Sequence, residues 1–264
     1  MIIDVNTFLG HYPFRQVRCT TAPDLIAQMD ASGITAAAVS SLHAVFYRDA
    51  HRGNEELLEA VRAYPQRLFP IGTVNPTYAG WERDLAWLVE VAKVRAISLM
   101  PEHHAYRLSD DRGKAVLRHI EDRKLPVVLT QRLEDRRQRH HWDVAEDLTV
   151  DDVVATARAY PTLRMLLLNW VSLPPEKLLA AGLRGRCLID FARLGVLVTK
   201  DVPRLIEALG PEAIAFGAHL PFDYPAASLV KLSDVAGLLP EEFERIAWKN
   251  ANAFLQLNLN ADPH

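Results

Sequence analysis

His219 and Asp190 are the two residues of this sequence best suited to acid–base chemistry. The imidazole of a histidine titrates near neutral pH, so His219 is a candidate general acid or base. Asp190 lies within a short apolar segment and is a candidate to orient that imidazole or to act beside it. Each residue also has a structural alternative to a catalytic role. His219 can fill a polar cavity and bond to Asn6 or Asn169, and Asp190 can be a buried carboxylate whose hydrogen bonds are satisfied within the protein.

A second group of residues has the chemistry to bind a substrate. The planar fork of arginine binds a carboxylate through two hydrogen bonds, and amide or hydroxyl groups can hold a carbonyl or an oxyanion. The candidates are Asn6, Arg15, Thr130, Arg132, Asn169 and Trp170. Their structural alternatives are a buried polar network for the amides, an ion pair of Arg15 with an acid such as Asp4, and core packing for Trp170.

Eight short segments rich in Ile, Val and Leu predict β-strands that are buried on both faces, because their apolar character is nearly continuous. Amphipathic segments with helical periodicity separate them. This alternation predicts an α/β protein with a single (β/α)8 TIM barrel domain covering residues 1–264. The predicted strands are 1–6, 35–40, 68–74, 94–100, 125–130, 163–169, 186–191 and 213–217.

The predicted barrel also predicts where the site lies. The alternative fold to a barrel is an open, doubly wound sheet, but the first turn of this sequence lacks the glycine fingerprint of dinucleotide-binding sheets. Catalytic residues of TIM barrels lie at the C-terminal ends of the strands, where the candidate residues occur. The longest connection, 131–148, is expected to be functional because of its length, and its mixed-charge part, 134–140, is expected to be a solvated loop.

The composition argues against several classes of function. A net charge of -3 gives no general attraction to nucleic acid or to an anionic membrane. There is no signal-peptide pattern and no apolar stretch of transmembrane length, so we expect a cytoplasmic protein. Neither the two cysteines nor the adjacent histidine pairs at 103–104 and 140–141 have the spacing of a zinc site. We expect a small-molecule substrate and a homodimer.

Five segments, in order along the chain, carry motifs of a known kind. The opening MIIDVNTFLG has the form of a first barrel strand, and FGAHLPFDYP (216–225) has the form of an eighth. The other three are NEELLEAVRAYPQRLFPIGTVNP (54–76), LPVVLT (125–130) and IAWKNANAFLQL (246–257). Together they resemble the amidohydrolase superfamily, of the amidohydrolase-related metal-dependent hydrolase kind. The resemblance covers nearly the whole chain and implies a TIM barrel.

The metal ligands of that family do not carry over. Its paired first-strand histidines fall on Asn6 and Phe8. Its ligands from strands five, six and eight fall on Thr130, Asn169 and His219. Zinc is bound by thiolate, imidazole or carboxylate groups, and a single imidazole holds a divalent ion weakly. The resemblance therefore implies a barrel without the family's metal site, and we expect no cofactor.

The resemblance implies a metal-independent hydrolase of a small carbonyl substrate, an ester, lactone or amide, since some members of the superfamily hydrolyse lactones without a metal. Two alternatives stay open. One is a decarboxylase or lyase of a small carboxylic acid, with Arg15 and Arg132 binding the carboxylate. The other is a catalytically inactive pseudoenzyme or ligand-binding barrel.

Overall fold

A computed structural model describes residues 1–194, 201–234 and 238–260. Parallel strands form two sheets in the orders β1-β2-β3 and β4-β5-β6-β7-β8-β9. The strands are β1 (Ile3–Leu9), β2 (Ala36–Ser41), β3 (Leu68–Pro70), β4 (Gly72–Thr73), β5 (Ile97–Leu99), β6 (Val127–Thr130), β7 (Met165–Leu168), β8 (Cys187–Asp190) and β9 (Ile214–Ala215). Each of the eight predicted segments contains strand residues, and the predicted segment 68–74 holds both β3 and β4.

Backbone hydrogen bonds join the two sheets into one closed barrel. Ile71 separates β3 from β4, and its N–H donates to Val39 O on β2 at 2.8 Å. On the other side, the N–H of Val5 donates to Phe216 O at 3.0 Å, which links β1 to the residue after β9. With β3 and β4 counted as one interrupted strand, eight parallel strands close on themselves. The predicted (β/α)8 TIM barrel is confirmed.

Helices follow the strands and surround the barrel. Their starts carry the expected capping side chains: Asp110 accepts from the N–H of Gly113, and Thr149 forms a capping box with Asp152. The helices are α1 (Ala22–Ala31), α2 (Leu42–Phe46), α3 (Ala50–Val61), α4 (Trp81–Glu90), α5 (Asp111–Asp122), α6 (Val150–Ala159), α7 (Pro175–Ala180), α8 (Asp201–Leu209), α9 (Pro225–Asp234), α10 (Pro240–Glu244) and α11 (Asn250–Leu255). No helix in the described part of the chain is both long and apolar enough to cross a membrane.

The hydrophobic core has three parts. The largest lies between the strands and the surrounding helices, and a second fills the barrel interior and is closed at the N-terminal end of the strands by α11. A third, which we call the mouth cluster, covers the C-terminal ends of the strands. Its members are Phe8, Tyr12, Val17, Leu42, Val45, Met100 and Leu133, with the partly buried Phe14, Phe46 and Phe222 packed against them. The mouth cluster therefore lies where TIM barrels place their chemistry.

Candidate functional site

Asn6 within β1, Asn169 directly after β7 and Asp190 at the end of β8 form one buried hydrogen-bonded network. The Asn6 Nδ2 donates to Asn169 Oδ1 at 2.6 Å and to Asp190 Oδ2 at 3.0 Å. The backbone N–H of Asn169 donates to Asp190 Oδ1 at 2.7 Å. Both protons of the Asn6 amide group are thus engaged within the protein. The structure brings these three predicted residues together, as the strand-end argument predicted.

The carboxyl of Asp190 is fixed rather than free. Burial raises its pKa, while hydrogen bonds from Asn6 and from the backbone N–H groups of Asn169 and Ala192 act in the opposite direction. Gly217 allows this packing, because a Cβ atom there would lie 2.6 Å from Asp190 Oδ2. We find no contact between Asp190 and the ring of His219 among the hydrogen bonds of the described residues, so Asp190 does not orient that imidazole in this arrangement.

His219 is oriented by Asp223 instead. The Nδ1 atom of His219 lies 2.8 Å from Asp223 Oδ2, and the two residues are four positions apart in the turn after β9. Burial raises the pKa of Asp223, but the hydrogen bond and positive charge of His219 together with Arg193 lower it more, so the net shift is downward. The Nε2 atom of His219 is buried and has no hydrogen-bond partner in the described part of the chain.

The structural alternative for His219, a hydrogen bond to Asn6 or Asn169, is not found among the described residues, where Asn6 bonds to Asn169 and His219 to Asp223. Asn169 and His219 share another property: both have left-handed backbone conformations, with φ of 60° and 56°. Residues other than glycine rarely adopt this backbone conformation, and those that do cluster at functional sites. Both residues follow a barrel strand, at positions where the backbone turns.

The ring of Phe222 covers His219. The two rings are stacked, with centroids 5.0 Å apart, and Phe222 also makes edge contacts with Tyr12 at 5.0 Å and Phe8 at 6.3 Å. His219, Asn6 and the other network residues have no exposed surface. In this conformation the candidate site is closed by the mouth cluster.

Both predicted arginines at the mouth are paired with acids. Arg15 Nε lies 2.6 Å from Glu134 Oε1, and the hydroxyl of Tyr12 donates to Glu134 Oε2 at 3.0 Å. The structural alternative, an ion pair of Arg15 with an acid, is therefore what the structure shows, but the acid is Glu134; Asp4, the example taken from the sequence, accepts backbone N–H groups instead. Arg132 pairs with Asp147 at 2.9 Å. A substrate carboxylate must compete with these acids for either guanidinium group.

Thr130 and Trp170 lie in different surroundings. The hydroxyl of Thr130, at the end of β6, is buried and has no partner among the described residues. The indole Nε1 of Trp170 donates to Leu129 O at 3.3 Å, and the ring belongs to the core between strands and helices. Thr130 therefore keeps a free hydroxyl at the end of its strand, whereas Trp170 lies in the core between the strands and the helices.

Arg193 is a residue of the site that the sequence analysis did not identify. Arg193 donates to Asp223 Oδ2 at 3.1 Å and to Asp135 Oδ2 at 3.0 Å, so it connects the 131–148 segment to the partner of His219. The expectation that 134–140 is a solvated loop holds for residues 136–138, which are exposed, but not for Glu134, which is 2% exposed, or for Arg139, whose side chain is mostly buried. The four-residue spacing of His219 and Asp223 is a signal that sequence analysis had available.

The side chains at the strand ends do not fit a divalent metal ion. Asn6 presents amide protons to Asp190, so a cation between them would face positive hydrogen atoms. Amide and hydroxyl groups at Asn169 and Thr130 are weak ligands compared with imidazole or carboxylate. Within residues 1–194, 201–234 and 238–260, no three His, Cys, Asp or Glu side chains are grouped to hold a metal.

The adjacent histidine pairs lie outside this network. Burial lowers the pKa of His103 to about 3 and that of His104 to about 4, so both rings are neutral near neutral pH. The Nε2 atom of His104 lies 3.2 Å from Ala44 O, which ties the segment after β5 to α2. The other pair, His140 and His141, lies within the 131–148 segment, where the two rings contact each other with centroids 4.3 Å apart.

Comparison with known proteins gives the fold. The sequence matches no protein-family model and no curated protein. A 5-carboxyvanillate decarboxylase from Sphingomonas paucimobilis superposes with a TM-score of 0.74 at 15% identity, covering 97% of this chain and 98% of that chain. A dihydroxybenzoic acid decarboxylase from Polaromonas sp. JS666, solved with manganese and 2-nitroresorcinol, gives 0.73 at 15% identity and covers 98% of each chain.

A candidate amidohydrolase from Staphylococcus aureus is equally similar, with a TM-score of 0.74 at 15% identity over 97% of this chain and 99% of that chain. All three similarities extend over nearly the full length of both proteins. At this level of identity they show the fold. The chain has the TIM-barrel fold that these two decarboxylases and this amidohydrolase share.

Proposed function

We propose that this chain is a lyase that decarboxylates a small carboxylic acid, with His219 as the proton donor and Asp223 as the group that orients it. The observation that carries the proposal is the arrangement of His219, whose Nδ1 is held by Asp223 at 2.8 Å while its buried Nε2 has no described partner. A histidine with one nitrogen fixed and the other free is arranged for proton transfer to a bound molecule.

The mouth favours a carboxylate over an ester or amide substrate. Hydrolysis through an oxyanion needs free hydrogen-bond donors, but both amide protons of Asn6 are already bound by Asn169 and Asp190. A carboxylate can bind instead to Arg15 or Arg132 by displacing the acid partners of these residues, Glu134 and Asp147. The decarboxylases among the structural neighbours make this reading better supported than the hydrolase reading.

The aromatic side chains of the mouth cluster favour a flat, aromatic acid. Phe8, Tyr12 and Phe222 meet edge to face above His219, and a planar ring that enters can replace one of these contacts. Entry requires movement of Phe222 or of the Arg15–Glu134 pair, because His219 is fully covered in this conformation. The substrate carboxylate would then take the place of Glu134 at Arg15.

The chemical step needs one proton and releases one carbon dioxide molecule. Protonated His219 gives its Nε2 proton to the ring carbon that bears the carboxylate. The bond between that carbon and the carboxylate then breaks, its electron pair returns to the ring, and carbon dioxide leaves. The product carries hydrogen where the carboxylate was, and His219 regains a proton from solvent. Asp223 stabilises the imidazolium before the transfer.

The test is carbon dioxide release from a panel of hydroxylated benzoic acids that includes 2,6-dihydroxybenzoate and 5-carboxyvanillate. We expect at least one acid to be turned over, and His219→Asn to lower the rate about 10²- to 10⁴-fold. The exposed His141→Gln serves as the matched control and is expected to retain activity. An equal rate in wild type and His219→Asn contradicts the proposal.

A ligand-binding barrel without turnover is the second candidate, and the complete closure of the mouth favours it. Thermal-shift measurements with the same panel separate the two functions. A ligand that binds the folded state raises the melting temperature whether or not it reacts. Acids that bind without releasing carbon dioxide support the second candidate and contradict the first.

A further inference from the structure

The carboxylate of Glu134 is bound at the barrel mouth in the way that a separate carboxylate ligand would be. Its Oε1 accepts a hydrogen bond from Arg15 Nε at 2.6 Å, and its Oε2 accepts one from the Tyr12 hydroxyl at 3.0 Å. Each oxygen therefore has its own donor, and one donor is charged. The Glu134 side chain is almost fully buried, so these donors replace the water that an exposed carboxylate binds. The mouth thus contains a carboxylate site whose occupant belongs to the chain itself.

This carboxylate site lies beside the ring that covers His219. The Tyr12 ring meets the Phe222 ring edge to face with centroids 5.0 Å apart, and the guanidinium carbon of Arg15 lies 5.8 Å from the same Phe222 centroid. Phe222 in turn stacks on His219. An acid whose carboxylate replaces that of Glu134 would therefore have its ring next to Phe222, close to the proton donor proposed above.

The two arginines of the mouth differ in how firmly their acid partners are held. Asp147, the partner of Arg132, also pairs with two further arginines at 2.9 and 3.0 Å, so its displacement breaks three ion pairs. Within the described residues, Glu134 has a single ion pair, the one with Arg15. The Arg15 side chain is also 40% exposed, compared with 14% for Arg132. An incoming carboxylate therefore competes best at Arg15.

Glu134 can leave this site while the backbone of the 131–148 segment stays in place. Arg139 donates to the backbone carbonyl oxygen of Glu134 at 3.4 Å, and the adjacent Asp135 is bound by Arg193 at 3.0 Å. Neither contact involves the Glu134 carboxylate. Rotation about the side-chain bonds of Glu134 is therefore the movement that vacates both donors.

We propose that Arg15 and Tyr12 bind the substrate carboxylate, and that Glu134 occupies their site as an internal competitor when no substrate is present. The proposal rests on the proposed function for the identity of the ligand as a carboxylic acid. Because Glu134 is tethered to the site, it lowers the apparent affinity for every external carboxylate. An aromatic acid offsets this loss by packing its ring against the mouth cluster, whereas a small aliphatic acid does not. Glu134 is thus a specificity-determining residue.

The test is isothermal titration calorimetry of the full chain with benzoate. Glu134→Ala removes the competitor, so we expect it to bind benzoate about 10-fold or more tightly than wild type does. Glu134→Gln keeps the volume and a hydrogen-bond acceptor without the charge, and we expect a smaller gain; it keeps the test decisive if the alanine variant does not fold. Glu146→Ala changes an exposed glutamate of the same segment and is expected to bind benzoate as wild type does. Benzamide, the neutral analogue, is expected to show no gain.

Two double variants identify the donors of the site. Arg15→Gln in the Glu134→Ala background is expected to abolish the gain in benzoate affinity, because a charge-assisted hydrogen bond is lost. Tyr12→Phe in the same background is expected to reduce the gain several-fold. Thermal unfolding shows that each variant is folded, and benzoate is expected to raise the melting temperature of Glu134→Ala more than that of wild type.

Four results overturn the proposal. They are equal benzoate affinity in wild type and both Glu134 variants, an equal gain in Glu146→Ala, an equal gain for benzamide, and a gain that survives Arg15→Gln.

The binding measurement needs no turnover, so it separates this proposal from the proposed function. If Glu134→Ala binds benzoate more tightly and no acid is decarboxylated, the carboxylate site is supported and the decarboxylase reading fails. If acids are decarboxylated and the Glu134 variants bind benzoate as wild type does, the internal competitor is overturned and the decarboxylase reading stands.

Discussion

Asp4 is a buried carboxyl whose ionisation is coupled to folding. Its Oδ1 accepts the N–H of Asn6 at 2.9 Å and that of Ala218 at 3.0 Å, while its Oδ2 has no partner in the described chain. Burial raises the pKa of Asp4 to about 7, the two N–H groups lower it, and the charge of Asp190 raises it. The folded protein therefore binds this proton more tightly than the unfolded chain does.

This coupling predicts a loss of stability with rising pH. Between the ordinary pKa of 3.8 and about 7, the folded state holds a proton that the unfolded state has released. Within this window the free energy of unfolding is expected to fall by up to about 1.4 kcal/mol per pH unit. Urea denaturation at several pH values tests it: Asp4→Asn should remove most of this slope, and the exposed Asp111→Asn should not.

Residue types predicted the chemistry of the site but not all of its partners. His219, Asp190, Asn6 and Asn169 are polar residues at strand ends, and the barrel rule alone is enough to bring them together. The partner of Arg15 is Glu134, which is 119 positions away in the sequence. Such a pair depends on how a long connection folds over the mouth, and local spacing carries no information about that.

At the scale of elements, Asn54 on α3 completes the interrupted strand β3–β4. Its Nδ2 donates to Thr73 O at 2.8 Å, and its Oδ1 accepts the N–H of Thr73 at 2.9 Å. The asparagine thus binds both backbone groups of Thr73 where a neighbouring strand would otherwise do so. The apolar pattern of 68–74 predicted one strand. Such a pattern gives no information about a place where a side chain, rather than a neighbouring strand, bonds to the backbone.

Removing this side chain is expected to destabilise the barrel. Asn54→Ala leaves a buried N–H and a buried carbonyl of Thr73 without partners, which costs about 2–4 kcal/mol. Chemical denaturation of the variant measures the change. Asn260→Ala, at an exposed position, is the matched control and should unfold as wild type does. An equal stability of Asn54→Ala and wild type contradicts this role.

At the scale of the whole molecule, the barrel is closed at both ends. The N-terminal end is closed by α11, and the C-terminal end by the mouth cluster above His219. The proposed function requires the mouth cluster to open, so its aromatic members control access to His219. Their convergence was not predicted, since Tyr12, Phe46 and Phe222 lie on three separate connections.

This closure predicts the chemical accessibility of His219. Diethyl pyrocarbonate is expected to modify His219 in wild type much more slowly than the exposed His141. Phe222→Ala removes the ring that stacks on His219 at 5.0 Å and should speed that modification selectively. Peptide mass spectrometry measures both rates in one sample. Fast modification of His219 in wild type, or no effect of Phe222→Ala on its rate, contradicts the claim that the Phe222 ring controls access to His219.

The central claim is that His219 and Asp223, without a metal ion, carry out proton transfer on a small carboxylic acid. The most direct test measures carbon dioxide release and bound metal by elemental mass spectrometry on the same untagged, chelator-treated sample. We expect turnover by protein that contains far less than one metal ion per chain, and loss of that turnover in His219→Asn. Turnover that rises in proportion to added manganese and persists in His219→Asn would contradict it.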